Sequence, residues 1–249
     1  MRSRRRYRYS GLSYEESLRG HLVWKGEIMK ITLNYALKLN PKLNPDLFIP
    51  DPKLVLKKMN ESPIRDWLDF ISTEYRMNRV KNLILIPCSF YKPYDPPHDE
   101  FYRRINNLRK RVTDSKFITV SVPLGLEPEE FWSFKWNGHN LIYDCPFFPW
   151  VERFGYKWDE RIAQRVFSKL ESVINQFFAR SKEKFERVIA FFVPSSNELR
   201  LVKKHVDFMI LKEEPRVEVS YDNNTSEIYC HPYVWNRFES FLKDKCMIR

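Results

Sequence analysis

The chain has 249 residues, enough for one large domain with a sizeable core or one domain with appendages. Its 43 basic and 32 acidic side chains leave a formal charge of +11, which points to a polyanionic partner, nucleic acid before anionic membrane. Only 6 glycines occur, with no G-x-G-x-x-G or Walker lysine motif, which argues against a glycine-cradled nucleotide. The four cysteines (Cys88, Cys145, Cys230, Cys246) show no C-x-x-C spacing, so neither a disulfide framework nor a zinc knuckle is expected, and a reducing cytoplasm is the expected compartment. No run of about 18 apolar residues predicts a membrane span. The arginine-rich start lacks the apolar stretch of a secretory signal. Many charges and prolines with few glycines suit a thermophile.

Residues 1–12 read as a basic arm, with Arg2, Arg4, Arg5, Arg6 and Arg8 interleaved with Tyr7 and Tyr9. Such an arm is either a solubilising tail or a clamp on RNA, its arginines on phosphates and its tyrosines stacked on bases. Residues 13–80 form an N-terminal helical region broken by Pro41, Pro45, Pro50 and Pro52. Within it Ser62-Pro63 opens a helix whose Ile64, Trp67, Leu68, Ile71 and Tyr75 recur at helical spacing. Arg76, Arg79 and Lys81 suit the negative end of that helix dipole.

Residues 81–212 alternate strand and helix. Strands are predicted at 82–86, 116–122, 140–144, 187–193 and 207–211, with helices at 98–112, 127–134, 159–180 and 196–204. The run Leu83-Ile84-Leu85-Ile86 reads as a strand buried on both faces, and the alternation predicts a three-layer α/β/α fold with a mostly parallel sheet. Residues 213–249 read as a C-terminal hairpin around Asp222-Asn223-Asn224-Thr225, followed by a helix from Pro232 with an apolar stripe of Val234, Trp235, Phe238, Phe241 and Leu242. That extension is expected to cover a sheet edge.

Four of the predicted strands run into a proline: Pro87, Pro123, Pro146 and Pro194. In a parallel sheet these loops leave one edge, where α/β enzymes carry their chemistry. The candidates there are Cys88 and Lys92, Leu124-Gly125, Asp144-Cys145 and Ser195-Ser196-Asn197. Cys88 is either a small buried hydrophobe or a nucleophile whose thiolate the nearby Lys92 favours. His98 reads as a polar helix start or as a general acid or base. Asp144 reads as a turn residue or as a group that orients an amine. Arg103 and Arg104 lie on the outward basic face of the 98–112 helix, where solvent or phosphate is their expected partner. His21, His139, His205 and His231 have no ligand-like spacing with the cysteines, so no metal is expected, and no cofactor motif appears.

Pro87-Cys88-x-x-x-Lys92-Pro93-Tyr94 resembles the P-C-x3-K-P-Y-x2-S-x2-H signature of the archaeosine synthase family, relatives of archaeal tRNA-guanine transglycosylase. Ser121-Val122-Pro123-Leu124-Gly125-Leu126-Glu127-Pro128 and Tyr143-Asp144-Cys145-Pro146 are similar to two later segments of that family, S-S-P-L-G-x-x-P and Y-D-x-P. Pro97 stands at the signature's serine and Glu100 at its histidine, with His98 nearby. The resemblance implies a uracil-DNA-glycosylase-like α/β/α domain. It also implies a cytoplasmic archaeal transferase that joins an amine, lysine in the family, to the nitrile of 7-cyano-7-deazaguanine (preQ0) in tRNA. In that reading Cys88, Lys92, His98 and Asp144 are catalytic, Ser89, Tyr94, Pro123, Leu124, Gly125 and Tyr143 bind substrate, and Arg4, Arg5, Arg6, Arg103 and Arg104 bind RNA. The partners implied are preQ0-bearing tRNA, free lysine or another amine donor, and a transglycosylase-like or radical-SAM subunit, with no membrane. Two other readings compete: a non-catalytic tRNA-binding paralogue or partner subunit, and a glycosylase-like nucleobase-processing enzyme.

Overall fold

The computed structural model describes residues 7–8, 32–89, 92–94, 99–147, 149–216, 218–219 and 227–246. Among the described residues nine short strands follow in chain order: β1 (Tyr7–Arg8), β2 (Asn82–Pro87), β3 (Ser115–Ser121), β4 (Gly125–Pro128), β5 (Lys135–Trp136), β6 (His139–Asn140), β7 (Arg187–Ala190), β8 (Phe208–Met209) and β9 (Glu218–Val219). Five make the central sheet in the order β4-β3-β2-β7-β8. β2 pairs in parallel with both β3 and β7, and β7 with β8, while β4 folds back antiparallel on β3. All six residues of β2 are buried, as its unbroken aliphatic run demands of a strand covered on both faces. β1 pairs antiparallel with β9, and β5 with β6, in two separate ribbons.

The helices are α1 (Leu33–Leu39), α2 (Pro52–Lys58), α3 (Ile64–Asp69), α4 (Glu100–Arg109), α5 (Glu160–Ser181), α6 (Asn197–Val202), α7 (Glu227–Cys230) and α8 (Pro232–Lys245). They flank the sheet, giving the three-layer α/β/α arrangement with a mostly parallel sheet that the strand-helix alternation predicts. Several starts are capped by the side chain that precedes them, among them Asp51 on Leu54 N, Asp159 on Ile162 N and Ser196 on Leu199 N. Along α5, Ala163, Val166, Phe167, Leu170, Val173, Ile174, Phe177 and Phe178 are buried at helical spacing.

α3 continues into a π-helical segment, Phe70–Glu74, and the expected stripe of Ile64, Trp67, Leu68, Ile71 and Tyr75 is buried. Its terminal carbonyls, which lack intrahelical donors, are taken by guanidinium groups. Arg180 of α5 donates to Ser72 O at 2.6 Å and Ile71 O at 2.8 Å, and Arg76 donates to Thr73 O at 3.0 Å. The C-terminal helix lays Phe238 flat on Phe191 just beyond β7 (4.1 Å between ring centroids) and sets Phe241 beside Phe208 of β8, so it packs over that side of the sheet.

Three sequence expectations are corrected. Residues 140–144 do not form a strand of the sheet: only His139–Asn140 is a strand, and it belongs to the ribbon with β5. The buried run Leu141–Tyr143 is extended, but its hydrogen bonds go elsewhere, Leu141 N to Phe134 O, Asn44 N to Ile142 O and Asp144 N to Leu47 O. A short apolar run between turns looks alike whether its backbone pairs with a sheet or with a loop. The predicted 127–134 helix is instead β4 followed by a single 3-10 turn, Glu129–Phe131. Residues 227–230 are helical rather than the second strand of a hairpin, and the turn at 222–225 lies outside the described residues.

The reversal from β3 into β4 needs Gly125, whose φ is +73°. An added Cβ there would meet Leu170 at 3.5 Å and Leu68 at 3.8 Å, ordinary van der Waals distances. The obstacle to a side chain is thus backbone conformation and not space. Gly125→Ala is expected to destabilise the fold by about 1–2 kcal/mol, read by urea unfolding. A neutral result would mean that the turn relaxes out of the left-handed region.

Candidate active site

β2, β3 and β7 are parallel, so the loops that follow them leave the sheet at one edge. The loop after β2 carries the densest set of polar contacts. At its root, Pro87 O accepts a hydrogen bond from the Tyr102 hydroxyl at 2.9 Å, and the same hydroxyl meets Thr119 Oγ1 of β3 at 2.7 Å. Two residues on, the buried Ser89 hydroxyl donates to Asp99 Oδ2. Asp99 Oδ1 accepts the amides of Phe101 and Tyr102 at 2.8 and 3.2 Å, capping α4. One carboxylate therefore joins the strand-end loop to the helix that follows it.

The far end of the loop is pinned on three sides. Asn40 Nδ2 donates to Lys92 O at 2.9 Å, Tyr94 N to Trp132 O at 3.0 Å, and Asn106 Nδ2 to Tyr94 O at 2.9 Å. The Tyr94 ring stacks on Tyr102 with centroids 3.9 Å apart and planes 7° from parallel. Lys92 is 4% exposed, a value low enough to require partners for its ammonium. Its Nζ donates to Ser89 O at 2.5 Å and lies 4.0 Å from the centroid of the Tyr143 ring. That is cation–π distance, in a site shielded from water.

A second buried carboxylate of this group is Glu127, on β4. Its Oε1 accepts from the Ser121 hydroxyl at 2.6 Å and the Tyr143 hydroxyl at 3.0 Å. Its Oε2 and the Tyr94 hydroxyl have no hydrogen-bond partner among the described residues. Burial pushes the Glu127 carboxyl above its ordinary range, against the opposing pull of the Lys92 charge, Ser121, Tyr94 and Tyr143. Tyr94 acts on it in this sense without closing a hydrogen bond of ordinary geometry. Asp99 is raised too, by burial first, with Ser89, the helix amides and Lys92 working the other way. Burial, and after it the Glu127 charge, also keep the hydroxyls of Tyr94 and Tyr143 well above their usual range, so both remain neutral donors.

Cys88 is half-buried, in contrast to the sealed side chains around it. Its Sγ lies 3.8 Å from Glu198 Oε1, on the first turn of α6. Its chain neighbours Pro87 and Ser89 are both tied into the surrounding hydrogen bonds, Pro87 O to the Tyr102 hydroxyl and the Ser89 hydroxyl to Asp99. Asn197, next to Glu198, donates to Phe147 O at 3.2 Å and so ties α6 to the segment after Tyr143.

Of the residues singled out from sequence, Cys88, Ser89, Lys92, Tyr94 and Tyr143 thus gather at one end of the sheet. Pro123, Leu124 and Gly125 are buried in the β3–β4 turn, where Leu124 O accepts from Trp67 Nε1 at 3.0 Å. Asp144 is buried, its backbone paired with Leu47 and Ile49. His98, Arg4, Arg5 and Arg6 lie outside the described residues. Arg103 and Arg104 are engaged within the fold. Both pair with Glu100, and Arg104 also donates to Cys230 O at 3.1 Å and covers the Trp235 ring at 5.4 Å. Arg104 thereby braces α4 against the C-terminal helices, while the pairing of Arg103 stays within α4. Glu100, at the signature's histidine position, is held by those two arginines.

Sequence reasoning missed Glu127 and Glu198. Glu127 carried a signal, a lone carboxylate in the apolar run Leu124-Gly125-Leu126-Glu127-Pro128. Glu198 carried none, because an acidic residue in a first helical turn is ordinary. Among the described residues, no group of three or more His, Cys, Asp or Glu side chains is placed to hold a metal ion. No helix among them is long and apolar enough to cross a membrane.

Comparison with known families matches residues 64–227 to the domain of unknown function DUF5591, so the chain belongs to that family. The matched span contains β2, β3, β4 and β7 and all the side chains of the cluster from Cys88 to Glu198. No curated protein and no solved structure matches the chain.

A carboxyl raised on folding holds its proton in the folded chain at pH values where the unfolded chain has lost it. Its contribution to stability is therefore lost as pH rises from the ordinary carboxyl value through the folded one. Glu127→Gln removes this titration and keeps the side-chain carbonyl that accepts from Ser121 and Tyr143. Urea unfolding from about pH 5 to about pH 8 should show the variant gaining on the wild type as pH rises. A difference that stays constant with pH would mean that Glu127 does not titrate in this range.

Proposed function

We propose that this protein is a cytoplasmic tRNA-modifying transferase of the archaeosine-synthase type, which joins an amine to the nitrile carbon of preQ0 in tRNA. The observation that carries this reading is the half-buried Cys88 thiol, paired with a carboxylate at the carboxyl end of a parallel strand and followed four residues on by a buried lysine. That is the arrangement of an activated nucleophile set at the sheet edge where α/β enzymes work. The motif segments that resemble the archaeosine synthase family lie in this cluster or border it, and the DUF5591 match covers all of them.

The chemistry has two steps. The Cys88 sulfur adds to the nitrile carbon and a proton passes to the nitrile nitrogen, giving a thioimidate. The amine nitrogen of lysine or another donor then adds to the same carbon and loses a proton. The carbon–sulfur bond breaks, and amidine and thiol result. Lys92 lends positive charge to the site from its buried position, and the neutral hydroxyl of Tyr94 is the proposed donor to the reacting nitrogen. His98 and Asp144 are assigned to proton transfer and amine placement from the sequence resemblance. The net charge of +11 favours tRNA as the macromolecular substrate, with the 1–12 arm as one contact. A transglycosylase-like or radical-SAM subunit is the proposed protein partner.

One observation favours a second reading, a non-catalytic tRNA-binding paralogue. Lys92 donates to the carbonyl of its own loop and is 4% exposed, as a purely structural lysine would be. The two readings separate on Cys88→Ala. Incubation with preQ0-bearing tRNA and lysine, followed by mass spectrometry of the nucleosides, is expected to show the amidine product with wild type and none with the variant, at equal tRNA affinity. Absence of product with wild type, with and without the partner subunits, sinks the catalytic reading.

A further inference from the structure

We infer that Glu198 is the base that takes the proton from Cys88, making the two a catalytic dyad. The assignment deepens the reading above, and only its turnover arm rests on that reading. The residues are 110 apart in sequence and meet at 3.8 Å, Sγ to Oε1, because β2 and β7 are parallel neighbours whose following loops share an edge. Glu198 is placed by more than its own helix. Ser196 caps α6 by accepting from Leu199 N at 3.1 Å, and Asn197 anchors it to Phe147 O. The thiol is half-buried, so a reagent reaches it.

A second observation concerns the polar atoms of the buried cluster next to this loop. Glu127 Oε2 and the Tyr94 hydroxyl are both buried, and neither has a hydrogen-bond partner among the described residues. Buried polar atoms are ordinarily satisfied, and this acceptor and this hydroxyl act on each other without closing a hydrogen bond of ordinary geometry.

In the proposed step the S–H bond breaks and its proton goes to Glu198 Oε1. The electron pair stays on sulfur and forms the S–C bond at the nitrile carbon. Glu198 then delivers that proton to the nitrile nitrogen, so its carboxylate is restored before the amine enters. When the amine adds, Glu198 takes its proton and returns it to the departing sulfur. No oxidant or reductant is consumed.

A carboxylate in this position has two effects of opposite sign. It accepts the proton in the reaction, yet its negative charge opposes a standing thiolate. The test measures both in wild type, Glu198→Gln and Glu198→Asp, with Cys88→Ala to identify the reacting thiol. Alkylation of Cys88 by iodoacetamide at neutral pH, followed by peptide mass spectrometry, is expected to be faster in Glu198→Gln than in wild type. Formation of the tRNA amidine is expected to fall by about 10²-fold or more in the same variant, and to recover in part in Glu198→Asp. A side chain that only props up the loop would move both rates the same way. Alkylation in Glu198→Gln equal to or slower than in wild type overturns the pairing, whatever the substrate. Unchanged turnover in Glu198→Gln overturns the role as base. If wild type makes no amidine but Glu198→Gln alkylates faster, the substrate reading fails while the Cys88–Glu198 pairing stands.

Discussion

The Asp99 carboxylate governs how this molecule presents its chemistry. It accepts the Ser89 hydroxyl on one oxygen and two backbone amides of α4 on the other, and it is buried. A hydrogen-bonded carboxylate at a helix start gains from the dipole and satisfies amides that have no partner within the helix. Here it also fixes the distance between the end of β2 and the start of α4. The half-buried position of Cys88 follows, since its neighbours Pro87 and Ser89 are both tied down.

The cluster beyond Asp99 holds its charges at low exposure. An ammonium, Lys92, and two carboxyls, Glu127 and Asp99, lie within it, and burial drives both carboxyls upward. Burying charge costs several kcal/mol per ion before any pairing, so such a group persists only when its hydrogen bonds are nearly complete. Ser121, Tyr143 and the carbonyl of Ser89 supply most of them. What is left over among the described residues is one carboxylate oxygen, Glu127 Oε2, and one phenol hydroxyl, that of Tyr94. The thiol and Glu198 stand at the more open side of the same group.

The sheet edge was legible because its signals are local. An aliphatic run ended by proline marks the end of β2 whatever the rest of the chain does, and the helical stripes of α3, α5 and α8 follow from spacing alone. The segment 140–144 was misread for the same reason. Its apolar pattern reports burial, and burial is correct, but pattern does not say which backbone supplies the hydrogen bonds. Those come from residues 44–47 and from Phe134. Helical spacing puts Arg103 and Arg104 on the outward face of α4, and tertiary packing adds the contacts of Arg104 with the C-terminal helices.

Taken alone, the sequence determined a mostly parallel α/β sheet, a basic chain, and a Cys-Lys-Tyr loop at a strand end, all carried by periodicity, composition and short motifs. Tertiary structure alone decided that Glu127 would be a buried carboxylate of the cluster and that Glu198 would reach the Cys88 sulfur. Those contacts depend on strand order, on β4 folding back along β3 and on β7 lying next to β2, and strand order is set by packing over the whole core, which no local window of residues records.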